Sequence, residues 1–488
     1  MSSSDRIRFA LDTEPFRFHP TADVNFAEYH VMRALYDTLL EVDSAMEVQP
    51  HLAERWEQES PTAYRFHLRA GVSFQDGVRL TAHDAVWSLN RLRGNDSAQS
   101  SALSFVEDVE AVDELTFRVR LHKPHAPFLA SLASNAGMIF STRNIVVPDE
   151  GAGEPLTVPV GTGPFCFVAK TPSAVQLARY DGYWGRDESG TALPYAAGLE
   201  LPWYENGTQM LAALEQGELT VINEVPYARV PELRERQDLA FDAIASHGYN
   251  GVRLNCARPP FDSKPLRQAF AAAVDRERML AEVNLGVGYA MHGPIPPASF
   301  AYDGEYRPFT GDREQVRARL LEAGCPDGYS FTILIPTEQM RKMVSYMGDQ
   351  LRACGIEMKI EVRPMSDLYD ALQSGDYDAL FLGASGGTDP DEVLYPLFHS
   401  AGSQNRMSYA NPELDAVLER CRVEADRDTR ILLYRAAQQI IVEDSPFIFT
   451  RSGLSIIAKQ KGVHGLDPHP DLGIRWQRIR LPDGETER

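Results

Sequence analysis

The sequence contains no apolar run that approaches the roughly 20 residues of a membrane-spanning helix. It begins Met1-Ser2-Ser3-Ser4-Asp5, without the basic and apolar segments of a secretory signal. We therefore expect either a cytoplasmic protein or an extracytoplasmic one whose export signal has been removed. The net charge of -21 argues against nucleic acids and anionic membrane surfaces as partners, since both would repel so acidic a chain.

The motifs of common catalytic and metal centres are also missing. We find no His-Glu-x-x-His, no clustered Cys and His, no carboxylate-rich calcium loop, no Gly-x-Ser-x-Gly and no phosphate-binding glycine loop. No nucleophile and base can be paired from the sequence. The residues thus predict a binding protein, with no catalytic residue, no metal ligand and no cofactor.

The five cysteines contain no Cys-x-x-Cys pair, and their odd number leaves at least one thiol free. Cys325 and Cys354 each lie near the end of a predicted helix, so a bridge between them stays open. With 488 residues the chain is too long for one core and is expected to form two or three domains.

One stretch, Asp378–Ser400, has the pattern of a ligand loop. Ala379–Leu382 predicts a short buried strand, and the small residues that follow it permit unusual backbone angles. Asp391 is expected to cap the next helix. Ligands of open α/β sheets bind beyond the carboxyl ends of strands, although a plain strand–turn–helix connection fits equally well.

Helices and strands alternate through the second half of the chain. Asp312–Ala323 precedes the strand Tyr329–Ile335, and Glu338–Ala353 precedes the strand Glu357–Val362. This order predicts an α/β fold with a parallel or mixed sheet. Single amphipathic helices are expected over Ala27–Leu40 and Lys264–Leu280.

Four stretches, in the same order and spacing, resemble family 5 extracytoplasmic solute-binding proteins of ABC importers, the dipeptide-, oligopeptide- and nickel-binding type. These are Gly71–Leu92 (GVSFQDGVRLTAHDAVWSLNRL), Pro159–Phe165 (PVGTGPF), Pro259–Met279 (PPFDSKPLRQAFAAAVDRERM) and Pro390–Phe398. The resemblance covers nearly the whole chain.

The resemblance implies a two-lobed periplasmic-binding-protein-like fold with a hinge and an extra insert domain in the first lobe. Lobe I would comprise residues 1–29, 158–247 and 456–488, the insert 30–157, and lobe II 248–454. The protein would capture a small polar ligand between the lobes by hinge closure and present it to permease subunits, acting as a monomer. A cytoplasmic sensor or biosynthetic-cluster protein with the same fold is the alternative; an enzyme is a third.

The resemblance also assigns roles to single positions. The aspartate that holds a peptide ammonium in the dipeptide-binding branch is replaced here by Gly386, so we expect an acidic ligand instead. Arg341, or less favourably Lys342, aligns with a segment that supplies a carboxylate-binding arginine, although a solvated helix face also fits. A chelated metal, as in the nickel-binding branch, stays open.

The remaining candidates for ligand contact lie in four places. Glu14 and Phe16 follow the first strand, and Asn135 lies in the insert. Tyr249 and Asn250 lie at the entry to lobe II. The candidates in the glycine-rich loop are Ser385, Gly386, Gly387, Thr388 and Asp389. For Tyr249, packing at the hinge is the competing interpretation.

Overall fold

The computed structural model describes residues 5–150, 155–384 and 387–482. The described residues of Met1–Ile244 and Ser455–Arg488 form one compact unit, unit 1, and those of Ala245–Leu454 form a second, unit 2. The chain crosses between the units twice, once within the strand Leu239–Leu254 and once within the strand Phe447–Gln460.

Unit 1 is built mainly from antiparallel sheets. Its described helices are α1 (Phe26–Leu35), α2 (Ala82–Leu92), α3 (Phe128–Ser131), α4 (Gly207–Glu215) and α5 (Val230–Glu235). Its described strands are β1 (Arg6–Arg8), β2 (Leu40–Val42), β3 (Val48–Pro50), β4 (Ala53–Ser60), β5 (Ala63–Leu68), β6 (Val106–Ala111), β7 (Thr116–Leu121), β8 (Phe140–Val147), β9 (Leu156–Gly161), β10 (Phe165–Lys170), β11 (Ala174–Arg179), β12 (Gly198–Pro202) and β13 (Val221–Ile222).

Two four-stranded sheets organise unit 1, in the orders β1-β12-β11-β10 and β4-β5-β7-β6. The pairs β2-β3 and β8-β9 are antiparallel two-stranded sheets. In the first sheet β1 runs parallel to β12, and the other neighbours are antiparallel. Alternating residues of β5, from Tyr64 to Leu68, are buried, as expected for strands with one face on a core.

Unit 2 alternates helices with strands. Its described helices are α6 (Lys264–Ala273), α7 (Arg276–Val283), α8 (Arg313–Glu322), α9 (Arg341–Arg352), α10 (Met365–Ser374), α11 (Asp391–Phe398), α12 (Pro412–Val423) and α13 (Arg427–Asp444). Its strands, the first and last of which continue into unit 1, are β14 (Leu239–Leu254), β15 (Tyr289–Ala290), β16 (Tyr329–Ile335), β17 (Ile356–Val362), β18 (Ala379–Phe381) and β19 (Phe447–Gln460).

The sheet of unit 2 has helices on both faces. β16 lies between β17 and β18 and is parallel to both, whereas β14 is antiparallel to β18. Ile333 and Ile335 pack into the larger core, while Leu334 packs on the other side with Leu368 and Leu372 of α10. Both faces of these strands are therefore buried, and the α/β prediction is confirmed.

Two predicted helices are shorter than expected. α1 ends at Leu35 because Leu39 and Leu40 donate their main-chain N–H groups to carbonyls of a later segment and so leave the helix. The predicted helix Lys264–Leu280 is two helices, since Asp275 caps α7 by accepting from the N–H of Arg278.

The five cysteines are all free thiols, including Cys325 and Cys354, so the bridge that the sequence left open is not formed. None of the helices in the described ranges combines the length and the apolar character needed to cross a bilayer.

Candidate functional site

The loop after β18 contains five of the eleven predicted contact residues. Ala384 pairs with Tyr249 of β14 through N–H···O bonds of 2.9 and 3.0 Å. A Cβ at Gly383 would lie 2.6 Å from the main-chain oxygen of Tyr249, so only glycine fits this approach. The next two positions, Ser385 and Gly386, lie outside the described residues. The described chain resumes at Gly387, and Thr388 leads into Asp389.

Asp389 is buried and fully engaged within the protein. Its carboxylate lies 2.8 Å from both terminal nitrogens of Arg430 and accepts a 2.8 Å hydrogen bond from the hydroxyl of Tyr434. It also accepts a bond from the N–H of Asp391. The prediction that Asp391 caps this helix is thus wrong: Asp391 is its first helical residue, after the N-cap Pro390, and its carboxylate pairs with Arg422.

Glu392 provides a second carboxyl group beside the loop. Its Oε2 would lie 1.8 Å from a Cβ at Gly387, so the absence of a side chain there makes room for it. Its Oε1 is buried without a hydrogen-bond partner in the described part of the chain. Burial, followed by the negative charge of Asp389, raises the pKa of Glu392 to about 8. At neutral pH this carboxyl therefore keeps its proton.

Tyr249 and Asn250 lie on β14 directly beside the loop. The ring of Tyr249 packs edge-on against Phe447 and Phe449, at centroid distances of 5.7 and 5.4 Å. Its hydroxyl is buried and has no hydrogen-bond partner in the described ranges, and burial raises its pKa. The carbonyl of Asn250 accepts a bond from Thr450. Packing therefore explains the ring of Tyr249 but leaves its hydroxyl unexplained.

Arg253, on the same strand, was not among the residues predicted from the sequence. It lies opposite Leu380 of β18 and is only 8% exposed. Its guanidinium donates one long bond, 3.3 Å, to the carbonyl of Gly383, and burial lowers its pKa. The signal was present in the sequence, because a charged residue interrupts the apolar strand Val252–Leu254.

Arg341, the predicted carboxylate-binding residue, begins α9. Its guanidinium pairs with Glu338 three residues earlier, with Nε 2.6 Å from Oε2, and its side chain is 42% exposed. These contacts resemble those of a solvated helix face. A role for Arg341 in ligand binding stays a prediction.

The candidates of unit 1 lie in two places. Nζ of Lys170 lies 2.6 Å from Oε1 of Glu14. The side chain of Lys170 is buried, whereas the nearby Phe16 is 60% exposed. The ammonium of Lys170 also lies 5.0 Å from the centre of the Phe16 ring. Asn135 begins the short 3-10 helix Asn135–Gly137, and its Oδ1 is buried without a hydrogen-bond partner in the described ranges. Glu14 and Phe16 thus both lie close to Lys170. Contact of Glu14, Phe16 or Asn135 with a ligand stays a prediction.

Metal-ligating side chains do not gather anywhere in the part of the chain that the structure describes: no group of three or more His, Cys, Asp or Glu has the arrangement of a metal site.

Comparison with known proteins identifies the family. The sequence model of "Bacterial extracellular solute-binding proteins, family 5 Middle" matches residues 47–405. The chain belongs to this family. It is therefore a solute-binding protein, as the four sequence motifs predict.

Two relatives match over nearly their whole lengths. Heme-binding protein A of Haemophilus influenzae is 29% identical over 92% of this chain and 87% of its own. The dipeptide-binding protein of Escherichia coli is 26% identical over 94% and 92%.

Solved structures of periplasmic binding proteins share the fold. The DppA protein of Helicobacter pylori, solved with the peptide STSA, superimposes with a TM-score of 0.82 at 24% identity, covering 98% of each chain. The prediction of a two-lobed α/β fold of this type is confirmed.

Proposed function

We propose that this chain is a non-catalytic solute-binding protein that serves an ABC importer and captures a small, polar, acidic ligand such as a peptide-like metabolite, an opine, a sugar acid or a modified amino acid. The match of the family model over residues 47–405 carries the proposal. The ligand would be held by residues of both units, and binding would close the hinge because the closed form makes more contacts with the ligand.

The chemistry of the loop after β18 supports an acidic ligand. The charge of Asp389 is neutralised by Arg430, and Glu392, with a pKa raised to about 8, is neutral at pH 7. A ligand ammonium would therefore meet no unpaired negative charge on the described residues of this loop. Since an ammonium is strongly hydrated, moving it there without a counter-charge would be unfavourable.

The relatives add support of a general kind. The Escherichia coli relative is called a dipeptide-binding protein and the Haemophilus influenzae relative a heme-binding protein. Dipeptides and heme differ in shape, but both carry free carboxylates. A carboxylate is thus the chemical group that the two ligands have in common.

Isothermal titration calorimetry with acidic metabolites, combined with mass spectrometry of the mixture afterwards, tests the proposal. We expect saturable binding, recovery of the ligand unchanged, and a smaller radius of gyration by small-angle scattering when ligand is bound. Conversion of a bound ligand into a product would favour an enzyme. Absence of binding by every acidic and peptide-like compound would reject the proposal.

The place of action has a separate test. We propose that the protein works outside the cytoplasm, and a cytoplasmic sensor is the alternative. Fractionation of the native host should recover it with the periplasmic or surface fraction. Recovery with the cytoplasm would favour the sensor.

A further inference from the structure

We infer that Arg253 binds the carboxylate of the ligand. The inference rests on the proposed function and adds a residue to it. It starts from the geometry of β14, where Arg253 faces Leu380 of β18 and its guanidinium extends to the carbonyl of Gly383. Gly383 is the residue at which the chain leaves β18 for the glycine-rich loop. The guanidinium thus lies at the base of this loop.

The contacts of Arg253 differ from those of the other buried arginines described in unit 2. Arg267 and Arg276 each donate several bonds to main-chain carbonyls, and Arg430 pairs with Asp389. Arg253 donates one bond of 3.3 Å, and its Nε is buried without a partner. No carboxylate of the described residues lies within ion-pair distance of it. The residues that the structure describes therefore leave this charge uncompensated.

A second buried donor lies nearby on the same strand. The hydroxyl of Tyr249 has no hydrogen-bond partner among the described residues, and the positive charge of Arg253 is close enough to act on its pKa. Buried polar groups are almost always hydrogen-bonded, so two unpartnered donors on one strand require an explanation. A ligand oxygen at the base of the loop would provide an acceptor for both.

A carboxylate is the group that suits these donors. A guanidinium presents five N–H groups in a planar fork, which matches the two oxygens of a carboxylate. An unpaired buried charge destabilises a protein, whereas the same charge paired with a ligand contributes to affinity and selects against uncharged analogues. The arrangement has the character of a binding residue whose partner is supplied from outside the chain.

The test compares acids with partner compounds in which the carboxylates are blocked as esters or amides. The pairs are N-acetyl-Met-Leu and its amide, glutathione and its diethyl ester, and succinate and succinamide, each titrated by calorimetry into the wild type and into Arg253→Met and Arg253→Lys. Arg352→Gln serves as the control, because Arg352 lies in the same unit, is 57% exposed and pairs with Asp349. Circular dichroism and thermal unfolding check that every variant folds.

We expect the wild type and Arg352→Gln to prefer at least one acid over its carboxyl-blocked partner by about tenfold or more, the scale of a charge-assisted pair. Arg253→Met should lose this preference and Arg253→Lys should keep part of it. The ligand-free Arg253→Met protein should melt at the same temperature as the wild type or higher, since an unpaired buried charge has been removed.

Each of the following results would overturn the inference. Binding without preference for the acids, or a preference that survives in Arg253→Met, excludes Arg253 as the carboxylate-binding residue while leaving the proposed function intact. A lower melting temperature of ligand-free Arg253→Met together with unchanged acid preference would make the residue purely structural. Failure of all six probes to bind the wild type rejects the inference and counts against the proposed function.

Discussion

Asp389 and Arg430 form a two-point ion pair, with each terminal nitrogen of the arginine 2.8 Å from a carboxylate oxygen. Both side chains are buried, and Tyr434 adds a hydrogen bond to the same carboxylate. Since Asp389 ends the loop after β18 while Arg430 and Tyr434 belong to α13, the pair connects the loop to that helix. One end of the loop is thereby held by a bidentate, charge-assisted hydrogen bond, which is among the strongest hydrogen bonds in proteins.

Removing the arginine should strongly destabilise unit 2. Arg430→Met leaves the carboxylate of Asp389 buried without its counter-charge, and such changes typically cost about 3–5 kcal/mol. Urea denaturation followed by circular dichroism measures the difference in the free energy of unfolding. Arg435→Met, on the same helix with a side chain 48% exposed, is the control and should change it by about 0.5 kcal/mol or less. A loss below about 1 kcal/mol for Arg430→Met would show that the pair is dispensable.

Glu392 predicts a pH dependence of stability. In the folded protein its pKa is raised from 4.5 to about 8, so between these values the folded state holds a proton that the unfolded state has released. The contribution of this group to stability therefore falls as the pH rises from about 5 to 8, by at most about 1.4 kcal/mol per pH unit. The substitution Glu392→Gln removes the titrating carboxyl group. The stability of this variant relative to the wild type should therefore increase as the pH rises from about 5 to 8.

Unfolding free energies at pH 5, 6, 7 and 8 measure this difference. The control is Glu413→Gln, which makes the same chemical change at an exposed glutamate in the first turn of α12. An offset for Glu392→Gln that does not vary with pH would mean that the carboxyl is ionised throughout.

The sequence was sufficient for the elements of unit 2 whose signals are local. The helix expected over Asp312–Ala323 is α8, and the structure shows that Asp312 caps it by accepting from the N–H groups of Glu314 and Gln315. The strand at Ala379 and the loop after it were also predicted, because an apolar run followed by glycines is a local pattern. The motifs then identified the family, which none of the local patterns could do.

Contacts between distant segments could not be predicted in this way. Arg276, which follows the break after Ala273, is buried and donates to carbonyls as far away as Phe449. Likewise, whether Asp389 is free for a ligand depends on Arg430, 41 residues later in the chain. Arg253 was missed because an arginine in a strand is usually exposed, and its lack of a partner is visible only once the strands are paired.

The close approach between β14 and the loop predicts unequal effects of alanine substitution at two glycines. A Cβ at Gly383 would lie 2.6 Å from the main-chain oxygen of Tyr249, whereas one at Gly248 would lie 3.5 Å from that of Ala384. We expect Gly383→Ala to lower the free energy of unfolding by about 1–3 kcal/mol, since the backbone has to shift. Gly248→Ala should be within about 0.5 kcal/mol of the wild type. Thermal and urea unfolding measure both variants. If the two substitutions change the free energy of unfolding equally, the close approach at Gly383 is contradicted.

The last prediction concerns the amino group of peptide-like ligands. Because Asp389 is neutralised by Arg430 and the pKa of Glu392 is raised to about 8, the described residues of the loop offer no unpaired carboxylate to an ammonium. Met-Leu should therefore bind no more tightly than N-acetyl-Met-Leu, in which the amine is blocked and the carboxylate is kept. Calorimetry at pH 7 compares the two dissociation constants. If acetylation weakens binding by tenfold or more, an ammonium-binding carboxylate exists, and a repeat with Glu392→Gln would show whether Glu392 supplies it by ionising when the ligand binds.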